Sequence, residues 1–174
     1  MICLLISVRQ FGGSPEVSRL VDAYLILENG AVFKGQSFGY IGEAVGELVY
    51  STAMTGYMKT LADPAYEGKI VLQTFPLIGN YGVIQEEFGE GPAHNGLVRL
   101  KGYIVREWCQ EPSNHRSEGD LDTFLREHKT PGLSGVDTRA VMRVLRDHGP
   151  LNAMISLTPE LSEEQWEMLR GNNK

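Results

Sequence analysis

Nucleophilic catalysis needs a Cys or Ser on a tight strand-to-helix turn, with a His and a carboxylate in reach. Cys3 lies in an apolar N-terminal run, and Cys109 lies in Trp108-Cys109-Gln110-Glu111-Pro112, with no flanking glycine. Ser134 sits in Gly132-Leu133-Ser134-Gly135, which lacks the full GxSxG pattern. The elbow is missing in each case, so no catalytic residue is assigned in this chain. A hydrolase built on Cys109 and a histidine rests on residue types alone. His94, His115, His128 and His148 are scattered, and the cysteines form no CxxC pair. No metal site is expected from such spacing. No GxGxxG opens a helix and no P-loop occurs, so this domain is expected to bind no nucleotide cofactor.

Three other segments carry possible binding chemistry. In Thr55-Gly56-Tyr57, followed by Asp63-Pro64-Ala65-Tyr66, a glycine permits an unusual backbone and Asp-Pro sets a rigid turn. This is loop architecture packed by tyrosines, or a loop presenting backbone groups to a neighbour. In Phe75-Pro76-Leu77-Ile78-Gly79-Asn80-Tyr81-Gly82, the glycine spacing allows either a plain turn or exposed N–H groups for an anion. In Gly135-Val136-Asp137-Thr138-Arg139, Asp137 fits a helix N-cap. An Asp–Arg pair there also suits a domain interface.

These segments need elements to hold them. Ala23–Glu28 and Ala31–Gly35 flank Asn29-Gly30, a hairpin signal that calls for positive φ at both turn residues. Gly46–Ser51 and Lys69–Thr74 read as strands, and Met54–Ala62 as a short helix ended by Asp63-Pro64. Residues 77–95 read as a long loop. Residues 96–107 alternate as a strand, with Arg99, Lys101 and Tyr103 on one face and Val98, Leu100 and Ile104 on the other. The basic pair reads as a solvated face, or more sharply as a docking surface. Ser117 to Asp120 resembles a capping box before a helix with Leu121, Phe124, Leu125 and His128 on one face. Strand Leu133–Val136, helix Thr138–His148, stop signal Gly149-Pro150, strand Leu151–Leu157 and a last helix ending near Arg170 complete the order. Two sheet layers with helices on one side would suit it.

The 174 residues suffice for one ordinary domain. With 42% hydrophobic and 22% charged residues, the balance is that of a soluble globular protein. A net charge of -6 and no basic block argue against nucleic acid. The apolar run Ile2–Val8 is too short to span a membrane and lacks a signal peptide's basic lead. Residues 1–22 are expected to be a disordered extension. Two distant cysteines suit reduced thiols in a cytoplasm.

Taken in order, the chain resembles the small, glutamine-using subunit of carbamoyl-phosphate synthase, over about residues 23–157. The matching stretches are Leu27-Glu28-Asn29-Gly30, Gly46-Glu47, Met54-Thr55-Gly56-Tyr57, Asp63-Pro64, and Pro76 with Ile78-Gly79-Asn80 and Gly82. Val105-Arg106-Glu107, Pro112-Ser113-Asn114-His115-Arg116 and Gly135-Val136-Asp137-Thr138-Arg139 follow. Each is weak alone; the ordered set is specific.

The resemblance implies an α/β fold, a three-layer β/β/α swivelling domain that docks on the large synthetase subunit. It implies that residues 158–174 are a C-terminal helix and the start of a linker to a glutamine amidotransferase domain outside this sequence. That domain would release ammonia from glutamine for the large subunit, which uses ATP and Mg to make carbamoyl phosphate for arginine and pyrimidine synthesis. Expected partners are thus the large subunit and the subunit's own glutaminase domain. Thr55, Gly56, Tyr57, Asp63, Pro64, Gly79, Asn80, Gly82, Asn114, Arg116, Asp137, Thr138 and Arg139 are the motif or interface positions. Two positions depart from the family: Ala65 stands where a serine helps hold glutamine, leaving only backbone contact, and Lys59 replaces an acidic residue. These departures leave a free-standing binding module as the alternative.

Overall fold

The computed structural model describes residues 21–84 and 97–171. The expectations for the N-terminal extension before Val21, for His94 and for the loop beyond Ile84 lie outside the described residues.

Strands β1 (Asp22–Leu27) and β2 (Val32–Gly39) form the hairpin the sequence predicts, with Leu25 opposite Phe33. The turn differs from the expectation. Gly30 has φ 89°, but Asn29 is not left-handed, since Lys129 is the only non-glycine with positive φ among the described residues. Gly30 N–H donates to Leu27 O, and the Asn29 side chain accepts from Ala31 N at 3.1 Å. One glycine and an Asx contact therefore reverse the chain.

The chain continues through β3 (Ala44–Ser51), α1 (Tyr57–Ala62), a single 3₁₀ turn (Pro64–Tyr66), β4 (Ile70–Gln73), β5 (Leu77–Ile78), β6 (Gly102–Ile104) and β7 (Glu107–Trp108). It ends in α2 (Leu121–Glu127), β8 (Pro131–Ser134), α3 (Thr138–His148), β9 (Leu151–Ser156) and α4 (Glu163–Gly171). Seven strands close into a barrel in the order β1-β2-β8-β6-β4-β3-β9. Within it β3, β4, β6 and β8 run parallel, while β1, β2 and β9 pair antiparallel. The short β5 and β7 pair separately. The fold is mixed α/β, as expected, but the sheet closes on itself and the helices are not confined to one side. α2 packs on β2 and β8, whereas α4 packs on β9 and β3.

Side-chain alternation sorts the core into three clusters. The lumen takes Leu25, Leu48, Ile70, Leu72, Ile104, Leu133 and Ile155, and α3 adds Val141 and Leu145. Facing outward, Phe38, Val71 and Tyr103 meet Met58 and Leu61 of α1 and Leu121 and Leu125 of α2. Ile26 and Met154 meet Leu169 of α4. Strands covered on both faces need no polar face, which is why β4 and β9 are buried at every position.

The same double cover corrects the expectation for residues 96–107. Among residues 97–106 only Gly102–Ile104 pairs as strand, Glu107 already belongs to β7, and Tyr103 is fully buried rather than sharing a solvated face with Arg99 and Lys101. Lys101 is exposed, and Arg99 reaches Glu67 at 3.2 Å. Residues ahead of β6 are instead held by single contacts, Arg99 N–H to Leu61 O and Lys101 N–H to Lys69 O. The expected capping box is also revised. Asp120 caps α2 by accepting from Thr123 N at 2.8 Å, while Ser117 Oγ donates to Gly119 O.

Asp122 is the buried charge of this layer. It accepts from Gly39 N at 2.6 Å and from Arg126 at 2.5 Å. The Arg126 partner is half exposed, so the ion pair contributes about 0.5 kcal/mol. The amide bond to a buried carboxylate contributes about 1.5–3 kcal/mol and dominates. Asp122→Ala is therefore expected to lower the unfolding free energy by about 2–3 kcal/mol, and Arg126→Ala by under about 1 kcal/mol, in urea titration. Equal losses would contradict this ranking.

Tyr103 provides the pH test. Burial, then the neighbouring Tyr57 and Tyr81 hydroxyls, push its pKa well above 10.0. The folded state thus keeps the proton while the unfolded chain loses it near pH ~10. Stability is full below that pH and falls as pH rises through the alkaline range, by up to about 1.4 kcal/mol per pH unit for one proton. Tyr103→Phe is expected to flatten this alkaline limb; an unchanged slope would count against it.

Candidate docking surface

The four parallel strands run the same way, so the segments leaving their carboxyl ends emerge at one end of the barrel. Thr55–Tyr57 follows β3, Phe75–Gly82 follows β4, Arg106–Arg116 follows β6 and Gly135–Arg139 follows β8. Segments far apart in sequence are thereby brought to a common rim.

Their contacts are specific. Gly56, at φ 74° and ψ 37°, is the N-cap of α1 and accepts from Lys59 N and Thr60 N. The helix accordingly starts at Tyr57, later than the predicted Met54. Tyr57 is buried, donates its hydroxyl to Gly82 O at 2.5 Å and stacks on Tyr81 with centroids 4.3 Å apart. Gly82 N–H turns back to Gly79 O at 3.0 Å, and Val83 N–H goes to Gly119 O. The Gly82 and Val83 amides are thus spent inside the protein, as in a plain turn. A side chain at Gly82 would collide with Ser117, which lets the two loops touch only because that position is glycine.

The neighbouring loop is tied in equally. Cys109 N–H donates to Ile78 O, and Ser113 N–H donates to Asn80 O. Asn114 closes an Asx turn, its side chain accepting from Arg116 N at 3.0 Å and its carbonyl from Ser117 N. Thr55, Asn80 and Arg116 are exposed on this surface. The Cys109 thiol donates to Glu111 O at 3.2 Å, and no histidine bonds to it among the described residues.

At the start of α3 the Asp137 carboxylate accepts from Arg139 N at 3.1 Å and Ala140 N at 3.0 Å. Thr138 is buried beneath it, and Arg139 points to solvent. Asp137 and Arg139, with Arg106, Glu107 and Arg143, line a cleft of about 580 Å³. Arg143 was not singled out from the sequence, although its spacing four residues after Arg139 was the available signal.

Asp63, Pro64 and Ala65 do not join this rim. α1 carries the chain back, and Gly68 N–H meets Arg99 O ahead of β4 and β6, at the opposite end of the parallel strands. Asp63-Pro64 opens a 3₁₀ turn, in which Asp63 accepts from Ala65 N at 2.8 Å. The Ala65 amide is thus already occupied. Lys59 is exposed on α1. Among the described residues no group of His, Cys, Asp and Glu side chains could hold a metal ion, and no helix is long and apolar enough to cross a membrane.

Comparison with known proteins gives a consistent answer. The family described as "Carbamoyl-phosphate synthase small chain, CPSase domain" matches residues 25–155. The carbamoyl phosphate synthase small chain of Clostridium perfringens is 49% identical over 137 residues, covering 79% of this chain and 38% of that protein. That of Bacillus caldolyticus is 48% identical over 131 residues, covering 75% and 35%. A pyrimidine-specific small chain from Halalkalibacterium halodurans is 49% identical over 132 residues, again covering 75% and 35%. The chain therefore spans little more than a third of these relatives' length. Among solved structures, an aminopeptidase from Aneurinibacillus sp. strain AM-1 aligns with TM-score 0.43 and 18% identity over 77% of this chain and 30% of that one. No inference rests on so low a score. The match over residues 25–155, joined to relatives nearly half identical across them, shows that the chain belongs to the carbamoyl-phosphate synthase small-chain family.

Proposed function

We propose that this chain is the docking and structural half of the glutamine-using subunit of carbamoyl-phosphate synthase, acting in the cytoplasm. In that role it is the three-layer β/β/α swivelling domain of the subunit. It docks on the large synthetase chain and supports a glutamine amidotransferase domain that follows a linker begun near residues 158–174. Ammonia released from glutamine there passes to the large chain, which uses bicarbonate and ATP with Mg to form carbamoyl phosphate for arginine and pyrimidine synthesis. Ammonia kept from water stays unprotonated and nucleophilic, so a sheltered route between chains has a chemical reason.

The family match across most of the chain carries this proposal. The local geometry agrees with a platform rather than a catalyst. Cys109 faces a carbonyl instead of a base, and the Cys109, Ser113 and Gly135 amides of the motif loops are spent on neighbouring loops. At Ala65 the hydroxyl of the family serine is gone, and its amide is capped by Asp63. With the amide taken, this position then supports glutamine by shape and by its backbone carbonyl rather than by a side-chain hydrogen bond. The same departure favours a second role, a free-standing binding module of this fold.

The purified chain is expected to release no ammonia from glutamine and to co-elute with the cognate large chain in size-exclusion chromatography. Ammonia release by the chain alone would overturn the proposal. Failure to co-elute would leave the binding-module role.

A further inference from the structure

α3 is amphipathic in an unusual way for an acidic chain. Its buried side gives Val141 and Leu145 to the barrel lumen. Its outer side carries Arg139, Arg143 and Arg146, spaced four and three residues apart and all exposed, so they share one helical face. Arg139 and Arg143 pair with no carboxylate among the described residues. Arg146 meets only its neighbour Asp147, at 3.3 Å between exposed side chains. Arg106, 4.0 Å from Glu107, joins Arg139 and Arg143 as the third guanidinium lining the cleft at the start of the helix. These cations are concentrated on a chain whose net charge is -6.

An apolar trough runs beside them. One hollow of about 280 Å³ is lined by Tyr50, Met142, Arg143, Leu145 and Arg146. A second of about 250 Å³ continues from Tyr50 and Leu145 past Val49 to Pro150, and its one charged lining residue, Glu47, is paired with Lys69 at 3.3 Å. Tyr50 is 50% exposed although it lies in a barrel strand. Tyr, Met and Arg around an apolar groove are the residue types enriched where proteins anchor partners.

The alternatives fit less well. A phosphate at the start of α3 would want free amides, but Asp137 already takes those of Arg139 and Ala140. Nucleic acid would meet the acidic remainder of the chain. A symmetric second copy would set arginines against arginines. Separate guanidinium forks beside an apolar trough suit side-chain carboxylates flanking an apolar residue.

We propose that the outer face of α3, with Tyr50 of β3, is where an acidic segment of the large synthetase chain docks, Arg139 and Arg143 taking its carboxylates and the trough an apolar side chain. This rests on the docking role proposed above. The test measures binding of the chain to the immobilised cognate large chain at low and high salt. Wild type is expected to bind, and to weaken as salt rises. The double variant Arg139→Glu/Arg143→Glu is expected to bind about tenfold or more weakly, with a flattened salt dependence. Tyr50→Ser is expected to weaken binding at both salt levels. Arg170→Glu, on α4, serves as the control for bulk charge and is expected to bind as wild type. Thermal melts matching wild type would keep these exposed substitutions interpretable. Wild-type binding with no change in the double variant would overturn this surface alone. Absence of wild-type binding would overturn the docking role and the surface together. A dimer of the free chain that the double variant abolishes would assign the face to a second copy and overturn it too.

Discussion

β9 is hydrogen-bonded along both edges, to β1 and to β3, and is buried at all of its positions. That strand joins the antiparallel hairpin to the parallel strands and closes the barrel. An open sheet would leave two edges with unpaired backbone groups. Closure removes them and fixes the parallel strands relative to one another. The four strands can then deliver four loops to one rim without any loop having to find its place alone.

What the loops do with that placement is mostly internal. Tyr57 spends its hydroxyl on Gly82 and its ring on Tyr81. Gln73, inside β4, donates to Ala53 O at 2.5 Å and lies 3.5 Å from the Tyr103 hydroxyl. A buried polar chain thus runs from the outer barrel layer into the loop that precedes α1. A buried donor or acceptor left unmatched costs about 1–3 kcal/mol, so each such link resists opening. The result is a stiff rim, suited to holding neighbours in fixed positions rather than to closing over a substrate.

Local signals along the chain predict local structure. Asn29-Gly30 marked the first hairpin, and Asp137 with Gly149-Pro150 marked both ends of α3, because turn and cap chemistry acts within a few residues. Barrel closure was not legible, since it depends on β1 meeting β9 across most of the chain. Tyr103 was placed on a wet face for the same reason: alternation cannot tell whether a second layer covers the outward side. The motif residues of the rim were legible individually, yet their division was not. α1 sends Asp63, Pro64 and Ala65 to the opposite end from Gly79, Asn114 and Asp137. Tyr50 gave no sign in sequence, because an aromatic residue in a strand ordinarily reads as core.

The proposed docking role requires surfaces that keep their shape. The most direct measurement is native-state amide hydrogen exchange of the free chain, read at residues 79–83 and 113–119 against β9. A rigid platform requires the bonded amides of Gly82, Val83 and Ser117 to exchange only through openings nearly as costly as those of β9, and to lose that protection selectively in Tyr57→Phe. Fast exchange at these amides while β9 remains protected would mean that the rim opens on its own, contradicting the account.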